Sequence, residues 1–132
     1  MAQVQGMLST HPRNARNQEG ITQCIQDCQE CAVTCMVCAD ACLDEEMVEQ
    51  LKSCIRMNLD CADICETGAR VMSRQVDTNQ TVIRSIMEAC ATVCRECAAV
   101  CKSHASRHEH CRICAEMCRR CENTCRQMLN MM

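Results

Sequence analysis

The sequence of 132 residues contains no Phe, Tyr or Trp, and it has only three Gly and one Pro. Aromatic side chains normally dominate the buried area of a core, so an ordinary close-packed core is not expected. Folds built from sheets and turns would lack the Gly and Pro residues that mark their turns. The missing aromatics and the net charge of −3 also argue against a nucleic-acid partner, because such a binder is typically basic and stacks bases on aromatic rings.

Two further absences concern location in the cell. Residues 1–20 contain no apolar run typical of a secretory signal, and Arg13 and Arg16 do not form a twin-arginine pair. No stretch approaches the roughly 18 apolar residues of a membrane span. We therefore expect a cytoplasmic protein that has no membrane partner and keeps its thiols reduced.

Cysteine is the residue that the sequence has in excess. There are 18 Cys in 132 residues, which is well above the roughly 8–10% that already marks an unusual composition. They recur at alternating steps of three and four residues over 24–42, 90–101 and 111–125, and more sparsely over 47–72. This alternation is the inward stripe of a helix in a bundle. A strand would instead repeat every two residues.

The stripes predict an all-α fold, an antiparallel up-down four-helix bundle with a Cys-lined core. The predicted helices cover 19–43, 45–72, 78 to about 107, and 109–129. Asp44 is predicted to cap the second helix, and Asp77 or Thr78 the third. Residues 1–18 are predicted to form a tail or a short helix, and 19–132 the bundle domain.

The inward thiols have three interpretations. As inert small hydrophobes they would leave the space between the helices underfilled, although cores are close-packed. Disulfides within one helix lack the required geometry, and disulfides between helices need an oxidising compartment. Metal binding is the leading interpretation, because metal ions bound by the thiolates would fill the remaining volume.

The choice of metal depends on charge and on ligand type. Zinc prefers isolated groups of four ligands, and several buried zinc–thiolate groups would carry uncompensated negative charge. Iron–sulfur clusters usually take their Cys from loops. Soft thiolate and thioether ligands select Cu(I), and each ion offsets one thiolate charge. An unbroken ladder of thiols favours Cu(I), while a zinc or other soft-metal buffer and a thiol-redox protein stay open as alternatives.

An enzyme is not expected from this sequence. Thiol–disulfide exchange normally uses one exposed pair of Cys beside a βαβ pattern, whereas the Cys pairs here are serial and lie within helices. No catalytic set of residues stands out, so no catalytic residue is predicted.

The segments CIQDCQECAVTCMVCADAC, CRECAAVC and CRICAEMCRRCENTC resemble the copper storage proteins over about residues 20–129. The resemblance implies a four-helix bundle filled with many Cu(I) ions and a homotetramer of such bundles. The 18 Cys and the missing signal resemble the cytosolic members of that family. An apolar face with Ile25, Met36, Val37 and Leu43 is compatible with a homo-oligomer. A copper chaperone, unidentified from the sequence, is a further expected partner.

The predicted metal ligands are all the Cys and five other residues on or beside the stripes. They are Cys24, Cys28, Cys31, Cys35, Cys38, Cys42, Cys54, Cys61, Cys65, Cys90, Cys94, Cys97, Cys101, Cys111, Cys114, Cys118, Cys121, Cys125, His104, His108, His110, Asn58 and Met47. The three His lie where the third predicted helix ends and the fourth begins. We call this the histidine end, and the resemblance to the copper storage proteins implies that one end of the bundle is open for metal uptake.

Other polar and thioether residues have plainer interpretations. The amide of Asn58 either bridges neighbours by hydrogen bonds or places its oxygen on a metal. Four Met are predicted to close the opposite end, the methionine end, as flexible filler and not as ligands. They are Met72, Met87, Met128 and Met132. His11 lies in the predicted tail and is not expected to bind metal.

Overall fold

The structure is a computed structural model that describes residues 2–13 and 17–132. These residues form five α-helices and one 3-10 helix, and none of them lies in a strand. The bounds are α1 Ala2–Ser9, α2 Gln18–Leu43, α3 Lys52–Ser73, α4 Gln80–Ser103 and α5 Glu109–Asn130, with the 3-10 helix at Val48–Leu51. The predicted all-α class is confirmed, with α1 as a short helix inside the predicted tail. Residue 1 and residues 14–16 of that tail lie outside the described residues.

The four long helices pack around a common axis. Helix α2 contacts α3 and α5, helix α4 contacts the same two helices, and α1 packs on α2. Seven small Ala side chains are buried beside the Cys stripes and let the helices approach closely: Ala32, Ala39, Ala62, Ala69, Ala91, Ala98 and Ala115. Helix α2 begins at an N-cap, because the side chain of Asn17 accepts a hydrogen bond of 3.1 Å from the Gly20 N–H.

The second predicted helix begins later than the sequence indicated. Asp44 is not the N-cap of that helix but the C-cap of α2, where its N–H reaches the carbonyls of Ala41 and Cys42. Residues 44–47 form the reversal of the chain, and α3 starts at Lys52 without a side-chain cap. The prediction of a helix from residue 45 was wrong because residues 44–47 form the turn that reverses the chain between α2 and α3.

The third predicted helix is also shorter than expected. Its N-cap is Asn79, whose side chain accepts a hydrogen bond of 3.2 Å from the Val82 N–H. Asp77 instead takes a positive φ of 54° in the preceding turn, so the predicted cap at Asp77 or Thr78 is wrong. The helix ends at Ser103 and not near residue 107, since His104 is its C-cap and a turn follows.

The predicted outer apolar face is formed only in part. Met36, Val37 and Leu43 are exposed on α2, but Ile25 is 1% exposed and belongs to the core, as does Leu8 of α1. The prediction that Ile25 belongs to the outer face was wrong, because its side chain is buried. Within the described residues, no helix combines the length and the apolar character needed to cross a membrane.

Candidate metal centre

The 18 Cys form one continuous column of sulfur atoms, the thiol column, along the interior of the helices. Each of them is at most 1% exposed and each is a free thiol. Sulfur atoms from different helices approach closely, with 3.5 Å between Cys65 and Cys94 and 3.6 Å between Cys54 and Cys101. These distances far exceed a disulfide bond of about 2.05 Å. The predicted inward orientation of the stripes is therefore confirmed for all of the Cys.

The thiols fall into groups whose ligand atoms lie within 4.8 Å of one another, and the groups overlap. The groups include Cys31–Cys65–Cys94–Cys121, Cys31–Cys35–Cys61–Cys118, Cys35–Cys97–Cys114–Cys118 and Cys38–Cys42–Cys54–Cys111. The first two share Cys31, and the second and third share Cys35 and Cys118. Metal ions that occupied two overlapping groups at the same time would share a thiolate, so filling all of the groups needs an ion that accepts bridging ligands.

Asn58 lies inside the column, fully buried on α3. Its Oδ1 accepts hydrogen bonds from the thiols of Cys97 at 3.0 Å, Cys114 at 3.2 Å and Cys101 at 3.4 Å. Its Nδ2 donates to Cys54 Sγ at 3.5 Å. These bridging hydrogen bonds are one of the two interpretations of Asn58 that the sequence left open. The same Oδ1 faces three sulfur atoms, so it also lies where a metal between them would be bound.

At the histidine end, one carboxylate holds two imidazole rings beside the thiol column. Glu45 Oε2 lies 2.6 Å from His108 Nδ1 and 3.1 Å from His110 Nε2. The other ring nitrogen of His110, Nδ1, lies 3.4 Å from Cys38 Sγ and 3.6 Å from Cys111 Sγ. A carboxylate that accepts the Nε2–H leaves the Nδ1 lone pair directed at the two thiols, which is the usual arrangement around a metal-binding His.

The two remaining ligand candidates, His104 and Met47, lie in the chain segments at the same end. His104 is the half-buried C-cap of α4. Met47 lies in the turn before α3 and is 50% exposed, so it does not occupy the inward helical position that the sequence pattern gave it. The reason is the later start of α3.

The protonation of the thiols follows from burial and from hydrogen bonds between them. Burial raises the pKa of Cys42 to about 11, and it also raises the pKa of Cys111. Hydrogen bonds from neighbouring thiols lower the pKa of five others, Cys31, Cys54, Cys61, Cys114 and Cys125. For Cys54 these bonds, that from Cys101 first, bring the pKa to about 3. A hydrogen bond donated to a sulfur atom favours its ionised form, while burial disfavours it.

Glu45 is the acid at the histidine end. The hydrogen bond from His110 is the main cause that holds the pKa of Glu45 below its ordinary value, and the electrostatic interactions with His108 and His110 act in the same direction. Glu45 therefore stays ionised at neutral pH and remains a hydrogen-bond acceptor for the rings.

The methionine end contains a cavity lined by methionine side chains. Met72, Met128, Met131 and Met132 line a cavity of about 320 Å³. Met87 lies deeper, fully buried, with its Sδ 3.6 Å from Cys24 Sγ. Four Met, among them three of the four predicted to close this end, thus surround the cavity, while Met87 contacts the thiol column itself.

A polar cluster outside the column fixes α2 against α5. The carboxylate of Asp27 is 1% exposed. It accepts hydrogen bonds from Thr124 Oγ1 at 2.6 Å and from Gln23 Nε2 at 3.0 Å, and Arg120 Nε lies 3.4 Å away. The buried charge is thus paired and hydrogen-bonded, as buried charges need to be.

Comparison with known families gives the same interpretation as the thiol column. The sequence model of the family described as "Csp: Copper storage protein" matches residues 17–130. This chain belongs to the copper storage protein family. The match covers all four long helices and every Cys.

Solved structures of this family are close to the chain in fold. The copper storage protein Ccsp of Streptomyces lividans, loaded with 10 copper equivalents, is 44% identical with a TM-score of 0.95, covering 98% of this chain and 99% of that chain. A structure on copper loading to a cytosolic copper storage protein from the same organism (five coppers) is 48% identical with a TM-score of 0.84, covering 85% and 93%. The uncharacterized cysteine-rich protein YhjQ of Bacillus subtilis (strain 168) is 35% identical over 89 residues, which are 67% of this chain and 77% of that protein.

Two residues of this copper storage protein lie at the site although they were not predicted from the sequence to do so. Glu45 was predicted only as the first residue of the second helix, yet its carboxylate lies against two His at the histidine end. Met87 was interpreted as filler, yet its sulfur contacts Cys24. The only available signal for Met87 was its spacing of three residues before Cys90, which continues the stripe of α4.

Proposed function

We propose that this protein stores copper as many Cu(I) ions bound by bridging Cys thiolates inside the helices. The observation that carries the proposal is the overlap of the thiol groups, in which Cys31, Cys35 and Cys118 each belong to two groups. Ions that occupied two overlapping groups at the same time would share these sulfur atoms. Cu(I) is selected by soft thiolate ligands, and a thiolate can bridge two such ions.

Charge favours the same ion. Eighteen thiolates would carry eighteen negative charges in an interior that is at most 1% exposed. One Cu(I) per thiolate brings the filled column to neutrality, whereas isolated zinc–thiolate groups would leave several uncompensated charges buried. The copper loading of the Streptomyces lividans proteins supports this choice of metal.

We propose that the ligands are the 18 Cys together with His104, His108, His110, Asn58 and Met47. Metal would arrive at the histidine end, where His110 Nδ1 and the thiols of Cys38 and Cys111 lie within 3.6 Å. Asn58 would exchange its thiol hydrogen bonds for a metal contact as the column fills.

For the architecture, we propose that residues 19–132 form one metal-storage domain, an antiparallel up-down four-helix bundle made of α2, α3, α4 and α5. The ring of contacts between these helices supports it. Residues 1–18 would be an added N-terminal segment whose helix α1 covers part of α2.

We propose further that the protein works in the cytoplasm without catalytic activity, as a homotetramer that exchanges copper with an unidentified chaperone. The resemblance to cytosolic copper storage proteins supports this view. The exposed Met36, Val37 and Leu43 on α2 offer an apolar surface for self-association.

The competing function is a zinc buffer, since each group of four thiols taken alone matches a structural zinc site. Chain preloaded anaerobically with zinc is titrated with Cu(I), and released zinc is followed with a chromogenic chelator. We expect Cu(I) to displace all the zinc and then to continue binding. Zinc that stays bound in the presence of excess Cu(I) would contradict copper storage.

A further inference from the structure

The methionine end of the thiol column contains a compact group of sulfur atoms that includes a thioether. The Sγ atoms of Cys24, Cys28 and Cys125 lie within 4.8 Å of one another. Met87 Sδ lies 3.6 Å from Cys24 Sγ, and the Met87 side chain is 0% exposed. Four sulfur atoms from three helices therefore meet at this point, shielded from solvent.

Met87 is part of the inward stripe of α4 and not a residue beside it. Positions 87, 90, 94, 97 and 101 of α4 step by three, four, three and four. The same alternation places an inward side chain one turn before Cys90, and that side chain is Met87. Met87 thus extends the row of sulfur atoms by one position before Cys90, the first Cys of its helix.

The neighbouring helix α3 leaves room for these sulfur atoms. Gly68 holds an inward position on α3, where the stripe of α3 would otherwise place a side chain. A Cβ atom at this residue would lie 2.6 Å from Cys90 Sγ and 3.5 Å from Met87 Cε. A side chain at position 68 would therefore displace Cys90 and crowd Met87, so the glycine leaves this volume to sulfur-bearing side chains.

The chemistry of a thioether suits the end of a row of bridging thiolates. In an open row, the terminal ion needs one donor beyond the last thiolate. A thioether supplies this donor without a charge and without a proton, and it is among the soft ligands that select Cu(I). Filling space would need only the volume of Met87, which a Leu would also provide, and it would not require its sulfur atom to face Cys24.

We propose that Met87 Sδ and Cys24 Sγ form a terminal Cu(I) site at the methionine end of the column. This inference rests on the proposed function, because it concerns the last position of the same store. It changes the role of Met87 from filler to ligand, and it gives the column a neutral donor at the end remote from His110.

The test uses Ag(I), a soft monovalent ion like Cu(I), whose nucleus has spin one-half and couples to protons only through bonds. The full chain is loaded anaerobically with one Ag(I) per Cys, and proton–silver correlation spectra are recorded. Met87→Leu removes the thioether while keeping a similar volume, which cores tolerate well. The matched control is Met57→Leu, since Met57 lines an outer groove between α3 and α4 together with Asp60 and Glu88.

We expect a silver cross-peak from a methionine methyl group that is present in the unaltered chain and in Met57→Leu and absent in Met87→Leu. If the unaltered chain shows silver correlations with Cys β-protons and with no methionine methyl group, the Met87 site is overturned, whatever the variants show. A spectrum of Met87→Leu that keeps every methionine methyl cross-peak of the unaltered chain would also overturn it, whereas a cross-peak from Met47, itself a proposed ligand, would persist in both. If no Cys correlates with silver either, the storage proposal itself fails, so the two failures are distinguishable.

Discussion

Loading of the thiol column releases protons, and their number per ion identifies the binding mode. A Cys binds metal as its thiolate, and an ordinary thiol has a pKa of about 8.5. Burial raises the pKa of Cys42 to about 11, so this thiol carries its proton at pH 7 and loses it only when the metal binds. Addition of Cu(I) at neutral pH therefore displaces protons, and apparent affinity for copper rises with pH.

The magnitude follows from the thiols. If all 18 are protonated in the metal-free chain, filling with one ion per Cys releases one proton per Cu(I). Five thiols have a lowered pKa, and if these are already ionised, 13 of the 18 remain to release protons. The expected ratio is therefore about 0.7 to 1 proton per Cu(I), whereas zinc in isolated groups of four thiolates would release about three to four per ion.

The assay is an anaerobic titration of fully reduced chain in weak buffer at pH 7, with a pH indicator dye calibrated by added acid. Zinc is titrated in parallel as the control. A ratio below half a proton per Cu(I) would show that the column is largely ionised before loading, and would refute the argument from burial. A ratio of three or more per Cu(I) would refute bridging, because each ion would then bind several unshared thiolates.

Three further predictions concern the metal-free chain. Chain purified without oxygen should show close to 18 free thiols in a denaturing thiol assay, and a stable set of several disulfides would contradict cytoplasmic storage. Far-ultraviolet circular dichroism should show a mainly helical protein, since the helices pack through Ala and apolar contacts without metal, and a coil spectrum would instead indicate folding on metal. Asp27→Ala should lower the free energy of unfolding by about 2–3 kcal/mol in urea, because charge-assisted hydrogen bonds are lost, with Thr124→Val as the milder control. An unchanged midpoint for Asp27→Ala would show that the cluster does not stabilise α2 against α5.

The sequence predicted the interior better than the ends of the helices. The spacing of three and four fixes which side of a helix a residue occupies, so every Cys and Asn58 lies inside as expected. Helix ends depend on where the chain reverses, which periodicity does not encode. Asp44 and Asp77 are both reasonable capping residues. However, Asp44 lies at the C-cap of α2, and Asp77 adopts a positive φ in the turn before α4.

The residues that the sequence analysis missed are defined by contacts between distant segments. Glu45 lies 63 residues before His108, and only the packing of two turns brings its carboxylate within 2.6 Å of that ring. Ile25 is apolar and suits either side of a helix, so its burial depends on how the helices pack. Such contacts follow from three-dimensional packing and not from the spacing of residues within one helix.

The amount of copper per chain at saturation tests the central claim most directly. Reduced chain is incubated anaerobically with excess Cu(I), freed from weakly bound metal by competition with a chelator and gel filtration, and analysed for copper and for protein. Bridging along the column predicts a plateau near one ion per Cys, roughly 18 per chain. A plateau at roughly four ions or fewer would mean that the thiols act as isolated groups of four, and the account of copper storage by bridging thiolates would be wrong.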